Sequence, residues 1–316
     1  MNIKTEQQIK NMKAQTFGVE VEGNNITRKH AAEVAAEYFG TRAYYIGDGC
    51  YDVWGAKDAQ GRTWKFSRDG SIYGPDSEKC ELVTPILKYE DMEMFQELLR
   101  RLRKAGMVSN PNQGCGVHIH IGLKGLDGRN HTPQTIRNLV NIMASHERQL
   151  IKAVNVDQHR VDTWCKLVDR NFLMHLNARK PKTWSQLEDL WYIWNNADGG
   201  RRSHYNNSRY HMLNLHASFT KQTIEFRMFQ FANPHDGKKG GIHAGEMKAY
   251  IQLCLAISEL AKEVKTASPR PQQTENEKYA MRCWMLRLGF IGDEFKTARD
   301  ILLKRMDGNG AWRQVA

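Results

Sequence analysis

Thr16 to Glu22, TFGVEVE, alternates Phe17, Val19 and Val21 with Gly18, Glu20 and Glu22. A β-strand over this stretch carries both carboxylates on one face and three apolar side chains on the other. The pattern returns twice. In Gly116 to Gly122, GVHIHIG, the residues Val117, Ile119 and Ile121 oppose His118 and His120. In Thr223 to Phe229, TIEFRMF, the residues Ile224, Phe226 and Met228 oppose Glu225 and Arg227. One wet sheet face explains any single stretch. The identities of the polar residues say more, because a strand sets Glu20 and Glu22, or His118 and His120, about 7 Å apart. Such like pairs repel unless a cation sits between them. Two glutamates, two histidines, and a glutamate with an arginine are what a sheet needs to hold divalent cations against a polyphosphate.

A glycine-rich segment, Asn110 to Gly116 (NPNQGCG), runs into the histidine strand. Its Gly114 and Gly116, with Gly122 beyond, remove side chains where a ligand or another backbone comes close. Cys80 to Leu87, CELVTPIL, reads as a buried strand with Glu81 inside it. A carboxylate among such neighbours needs a partner or a metal. Just before it, Asp69 in the DGS turn is either a further ligand or an Asx-turn residue, and the turn is the reading we adopt. Helices are expected over Asn25–Phe39 (Thr27 as N-cap, Gly40 as stop), Asp91–Lys104, Thr132 to about Val154 with Pro133 in the first turn, Thr183–Trp194, and Ile242–Val264 after a loop at Asn233–Gly241. Trp184, Trp191 and Trp194 share a helical face, which fits core packing better than stacking on a base. Strands separated by helices suggest an α+β domain built on an antiparallel sheet, with helices packed on one face and the active site on the other.

Composition narrows the class. The 316 residues are 41% hydrophobic, enough for a core. No apolar run is long enough to span a membrane and the N-terminus lacks a hydrophobic signal core, so a cytoplasmic protein is expected. The six cysteines form no CxxC, which points to reduced, structural thiols, with Cys115 beside His118 read as a small filler. A formal charge of +11 and a pI near 9.3 invite a nucleic-acid reading. Basic clusters stand at Arg100–Lys104 (RRLRK), Arg201–Arg209 (RRSHYNNSR) and Lys238 with Lys239. No helix-turn-helix, RNP, KH or zinc-finger pattern accompanies them, and RRLRK ends a helix, where cations suit the dipole. A basic chain equally suits an anionic substrate or Mg-ATP, so nucleic acid is not the expected partner.

The order TFGVEVE, DGSI with CELVTPIL, GCGVHIHIG, then LNLHAS with TIEFRMF resembles the amidoligase family, ATP-dependent carboxylate-amine ligases related to glutamine synthetase and glutamate-cysteine ligase. The likeness runs from about Thr16 to Lys262, with a weaker echo from Gly289 to Trp312. It implies a glutamine synthetase-like catalytic fold that binds ATP and two Mg2+ ions, with Mn2+ as a substitute. It also implies metal ligands at Glu20, Glu22, Glu81, His118 and Glu225. His120 and Arg227 would contact ATP phosphate and serve catalysis, and Arg160 would bind substrate. The implied chemistry is ADP-forming: a carboxylate takes the γ-phosphoryl group, and an amine attacks the acyl phosphate. The partners are small-molecule or peptide carboxylates and amines. The expected organisation is an arm over 1–15, a catalytic domain over 16–266, a polar linker over 267–277 and a small helical tail over 278–316.

Competing motifs are absent: no GxxxxGK[ST], no GxGxxG after a strand and no HExxH. A metal-dependent hydrolase using the same Glu/His cluster remains an alternative, as does a basic nucleic-acid-binding protein. Zinc favours histidine-rich sites, whereas four glutamates against two imidazoles favour magnesium or manganese.

Overall fold

The computed structural model describes residues 3–195, 198–232, 241–271 and 274–311. The strands are β1 (Gln15–Gly23), β2 (Tyr44–Gly47), β3 (Val53–Lys57), β4 (Thr63–Ser67), β5 (Cys80–Val83), β6 (Val117–Gly125), β7 (Leu213–Asn214) and β8 (Thr223–Phe229). The helices are α1 (Ile3–Lys13), α2 (Arg28–Phe39), α3 (Met92–Lys104), α4 (Pro133–Val154), α5 (Gln158–Thr163), α6 (Arg170–Arg179), α7 (Trp184–Trp194), α8 (His216–Thr220), α9 (Ala244–Glu263), α10 (Glu277–Arg287) and α11 (Lys296–Leu303). The fold is α+β. The chain divides into two compact units, Phe17–Ile119 with Phe229–Lys248, and Met1–Thr16 with His120–Met228 and Ala249–Ala316.

In the first unit the strand order is β2-β3-β4-β5-β1-β6, antiparallel at each of the first four junctions. Residues paired across antiparallel strands point to the same side. Phe66, Leu82 and Val21 therefore form one row, and Ser67, Glu81 and Glu22 form the next row on the opposite face. The apolar row is buried. Trp64 of β4 meets Phe39 of α2 at 5.4 Å and Phe95 of α3 at 5.9 Å, so both helices cover that face. α2 begins at Thr27, whose side chain accepts from His30 N, and ends at Gly40 with φ 68, a left-handed cap that glycine adopts without strain. Arg62 ties the β3–β4 turn to α3, with Nε 2.7 Å from Asp58 and Nη1 2.8 Å from Asp91. RRLRK indeed closes α3.

β5 is shorter than Cys80–Leu87. Pro85 has no N–H to give the ladder, so pairing stops at Val83. Thr84 Oγ1 accepts from Val19 N at 2.9 Å, and the chain rejoins β1 where Phe17 and Leu87 exchange bonds of 2.9 and 2.7 Å.

In the second unit the strand order is β6-β8-β7, β6 entering from the first unit between residues 119 and 120. Thr132 caps α4 and Pro133 sits in its first turn. Asn138 of α4 donates to Ala261 O and Val264 O at the end of α9. Residues 3–13 are helical: Gln8 donates to Arg287 O at 2.7 Å, and Lys13 pairs with Glu294 at 2.7 Å. Trp191 is buried and donates to Ser208 Oγ, as core packing requires. Residues 269–271 and 274–276 hold neither helix nor strand. Lys238, Lys239, Trp312 and all but Gly241 of the 233–241 loop lie outside the described residues. Among the described residues, no helix is long and apolar enough to cross a membrane.

Candidate active site

The register of the first unit builds a carboxylate cluster row by row. Glu22 pairs with Glu81, which pairs with Ser67, while Glu20 pairs with Val83 on the same face. The His118 imidazole lies between the two β1 glutamates, Nδ1 3.1 Å from Glu20 Oε2 and Nε2 3.7 Å from Glu22 Oε1. The second oxygen of Glu22 accepts from Gly116 N at 2.5 Å, which fixes the carboxylate at the mouth of the glycine loop. Ser67 Oγ donates to Glu81 Oε2 at 3.3 Å. Ligand atoms of Glu20, Glu81 and His118 lie within 4.8 Å of one another, as do those of Glu22, Asp69 and Glu81. Glu81 belongs to both groups.

Asp69 does two things. Its Oδ1 accepts from Ser71 N and Ser71 Oγ, both at 2.7 Å, making the Asx-turn, and a carboxylate oxygen still falls within the second group. Sequence weighed the two roles against each other, yet a carboxylate has lone pairs enough for both. Gly114 explains the loop. At φ +80 a Cβ there would sit 2.6 Å from Ser71 O, so the close neighbour is the DGS backbone and the glycine lets the two turns meet. Cys115 is fully buried, consistent with a filler.

The second unit gathers His120, Glu225, Arg227 and Arg160. Thr223, Glu225 and Arg227 alternate along β8 and share a face. His120 Nδ1 is 2.9 Å from Thr223 Oγ1, and its Nε2 is 3.9 Å from Glu225 Oε2. Glu225 is buried, its Oε1 2.5 Å from Arg227 Nη1 and its Oε2 accepting from Asn214 Nδ2 at 2.7 Å. Asn214 is there because β7 pairs it with Glu225 across the ladder. The guanidinium and the amide supply the hydrogen bonds that a buried carboxylate gives up with its water. Arg160, buried on α5, donates from Nη2 to Arg227 O at 3.3 Å, and its Nε has no acceptor among the described residues. Burial raises the neighbouring Cys165 thiol to about 11, so it stays neutral.

Sequence reading did not assign roles to Ser67, Asn214 or Thr223. LNLHAS contained Asn214, but only the β7–β8 register shows which side chain it supports. Among the described residues of the basic clusters, Arg100 and Arg101 pair with Glu97, Arg201 with Asp189 and Arg202 with Glu188.

The donors of the first unit are carboxylate oxygens with a single imidazole, a set that fits hard divalent cations such as Mg2+ or Mn2+. Site and fold together define an α+β protein with a candidate divalent-metal centre on a sheet face. The family described as "Putative amidoligase enzyme" matches residues 13–258, and this chain belongs to it. Among solved structures it is similar to a bifunctional glutathione synthetase from Pasteurella multocida, at 13% identity and a TM-score of 0.47 over 96% of this chain and 49% of that one. The chain therefore spans about half the length of that enzyme. No curated protein matches.

Proposed function

We propose that this chain is an ATP-dependent, ADP-forming carboxylate-amine ligase that works through an acyl phosphate. The observation that carries the reading is the row Ser67–Glu81–Glu22 with His118 set between Glu20 and Glu22. Family membership supplies the reaction class. Glu20, Glu22, Glu81 and His118 would hold Mg2+, or Mn2+ in its place, with Asp69 as a further ligand, and Glu225 would serve a second ion. When bound, the ions neutralise phosphate charge and orient the γ-phosphoryl group.

The remaining chemistry belongs to the chain's own groups. Arg227, held by Glu225, presents a fixed guanidinium to the transferring phosphoryl group, and His120, oriented by Thr223, donates to a phosphate oxygen. Such preorganised donors act where charge develops, so they lower the barrier without reorganising. Arg160 has an N–H to spare at Nε and is assigned to the substrate carboxylate. A carboxylate oxygen attacks the γ-phosphorus, the bond to the ADP oxygen breaks, and the amine nitrogen then attacks the acyl carbon and expels phosphate. The products are one amide, ADP, phosphate and a proton.

The test is mass spectrometry of the purified protein with Mg-ATP and pooled amino acids, polyamines and small peptides. The reading expects a product lighter than its two parents by one water, formed together with ADP. ATP hydrolysis without condensation across the whole pool contradicts it.

A further inference from the structure

A cavity of about 470 Å3 opens in the second unit where the ends of α5 and α7 meet the turn at Asn207–Arg209. Its walls include the aromatic rings of Trp164, Trp194 and Tyr210, the carboxylates of Asp169 and Asp198, and the amide of Asn195. The metal and phosphate roles proposed above use none of these residues. We propose that this pocket holds the amine substrate as its ammonium cation, the charge set against Asp169 and Asp198 and the carbon chain against the rings. The inference rests on the ligase reading and names the class of its second substrate.

Charge comes first. The chain carries +11, yet among the described residues that line this pocket the charged side chains are two aspartates and one lysine, Lys166; Arg209 and Arg227 lie against the Tyr210 ring and are not part of the lining. His211, also on the wall, adds no charge near neutral pH, because burial pushes its pKa down. A primary amine is itself a cation at neutral pH, so it is the reactant of a ligase that an acidic pocket favours, and the carboxylate is the one it repels. Tryptophan faces attract ammonium groups further and cover their carbon chains.

Asn195 provides an independent pointer. The residue is 5% exposed and its Nδ2 donates to Trp191 O at 2.9 Å, which fixes the orientation of the amide. Its Oδ1 is then a buried acceptor that receives no hydrogen bond among the described residues. Native proteins rarely leave such an atom unmet, and an ammonium is all donor.

Position completes the argument. The Tyr210 ring lies 5.9 Å from the Arg227 guanidinium, Tyr210 O accepts from Lys166 N, and Arg227 N donates to Met212 O. One wall of the pocket therefore abuts the arginine assigned to the phosphoryl group. An amine held here waits beside the acyl phosphate rather than across the molecule. The volume suits the end of one small molecule or side chain.

The experiment is calorimetry on the whole chain without nucleotide, titrating 1,4-diaminobutane and, separately, butyrate. The proposal expects saturable binding of the diamine and none of butyrate. Asp198→Asn, at an exposed position whose change leaves the core untouched, should weaken the diamine about fivefold, and Trp164→Leu by at least as much. Absence of saturable diamine binding, butyrate binding as tightly, or diamine binding undiminished in both variants overturns it. Because no ATP is present, a protein that binds the diamine but never forms ADP defeats the ligase reading alone. One that forms ADP and amide but fails the titration defeats this inference alone.

Discussion

Glu81→Gln is the sharpest perturbation of the carboxylate cluster, because Glu81 contributes a ligand atom to both groups. Its neighbours Glu22 and Asp69 have oxygens within 4.8 Å. Two unit charges at that spacing repel by about 3.5 kcal/mol at an effective dielectric of 20 and by under about 1 kcal/mol in bulk water. Glu81 is half-buried, so relief of roughly 1–2 kcal/mol is the reasonable expectation for the metal-free protein. Glutamine keeps the volume and a carbonyl that accepts from Ser67 Oγ. In chelator, the variant should therefore melt about 1.5–3 °C above the parent chain. Magnesium reverses the order. At ten times its Kd it adds about 1.4 kcal/mol to the parent through binding the folded state alone, and it should add almost nothing to Glu81→Gln. Differential scanning fluorimetry with EDTA and with a magnesium series reads both effects. A variant that melts lower than the parent in EDTA, or that magnesium stabilises equally, refutes the reasoning that this cluster is a cation site.

Other outcomes follow from the same geometry. Arg227→Lys keeps the charge but loses the planar fork held by Glu225, so turnover of the folded variant should fall about 100-fold in a coupled ADP assay; an unchanged rate removes Arg227 from the chemistry. Magnesium or manganese should restore activity to chelator-treated protein and zinc should not, given the oxygen-rich ligand set; full activity with zinc alone favours a hydrolase. His131 is buried between Thr135 Oγ1 and Ser258 Oγ, and burial lowers its pKa to about 3. Above pH 6.5 it is neutral folded and unfolded; below that only the unfolded chain takes the proton. Its contribution to stability is thus lost as pH falls from 6.5 toward 3, at about 1.4 kcal/mol per pH unit. Urea unfolding of His131→Gln and the parent from pH 7 to 4.5 should show the variant's stability declining less steeply, and parallel curves contradict the assignment.

Strand alternation carried most of the site because burial and chemistry coincide there. In TFGVEVE, GVHIHIG and TIEFRMF every second residue belongs to the apolar core and the rest are set on one face, so a period of two reveals both the strand and the polar side chains that share its face. Caps were equally readable at Thr27, Gly40 and Thr132, since each acts on its own turn. Register was not readable. That Glu81 stands beside Glu22 and Ser67, and Asn214 beside Glu225, depends on how distant segments slide against each other, and no local spacing encodes it. β2 to β4 escaped for a related reason: VWGAK and TWKFS lie between turns and carry too few residues to show a period. Residues 3–13 have a weak apolar stripe, and their helix is anchored by Gln8 and Lys13 to segments nearly 300 residues away. Asp69 shows the limit of choosing between roles, since the turn that explained it also delivers it to the cluster.

The most direct test of the account is interception of the activated acyl group. Purified protein is given ATP, magnesium and a pool of carboxylates, with hydroxylamine as the only nucleophile, and hydroxamates and nucleotides are quantified together. A bound acyl phosphate reacts with any good nucleophile that enters the site, so the account predicts one hydroxamate formed in equal amount with ADP, and loss of both products together in Glu225→Gln. AMP and pyrophosphate in place of ADP, or ADP without any hydroxamate, would contradict it.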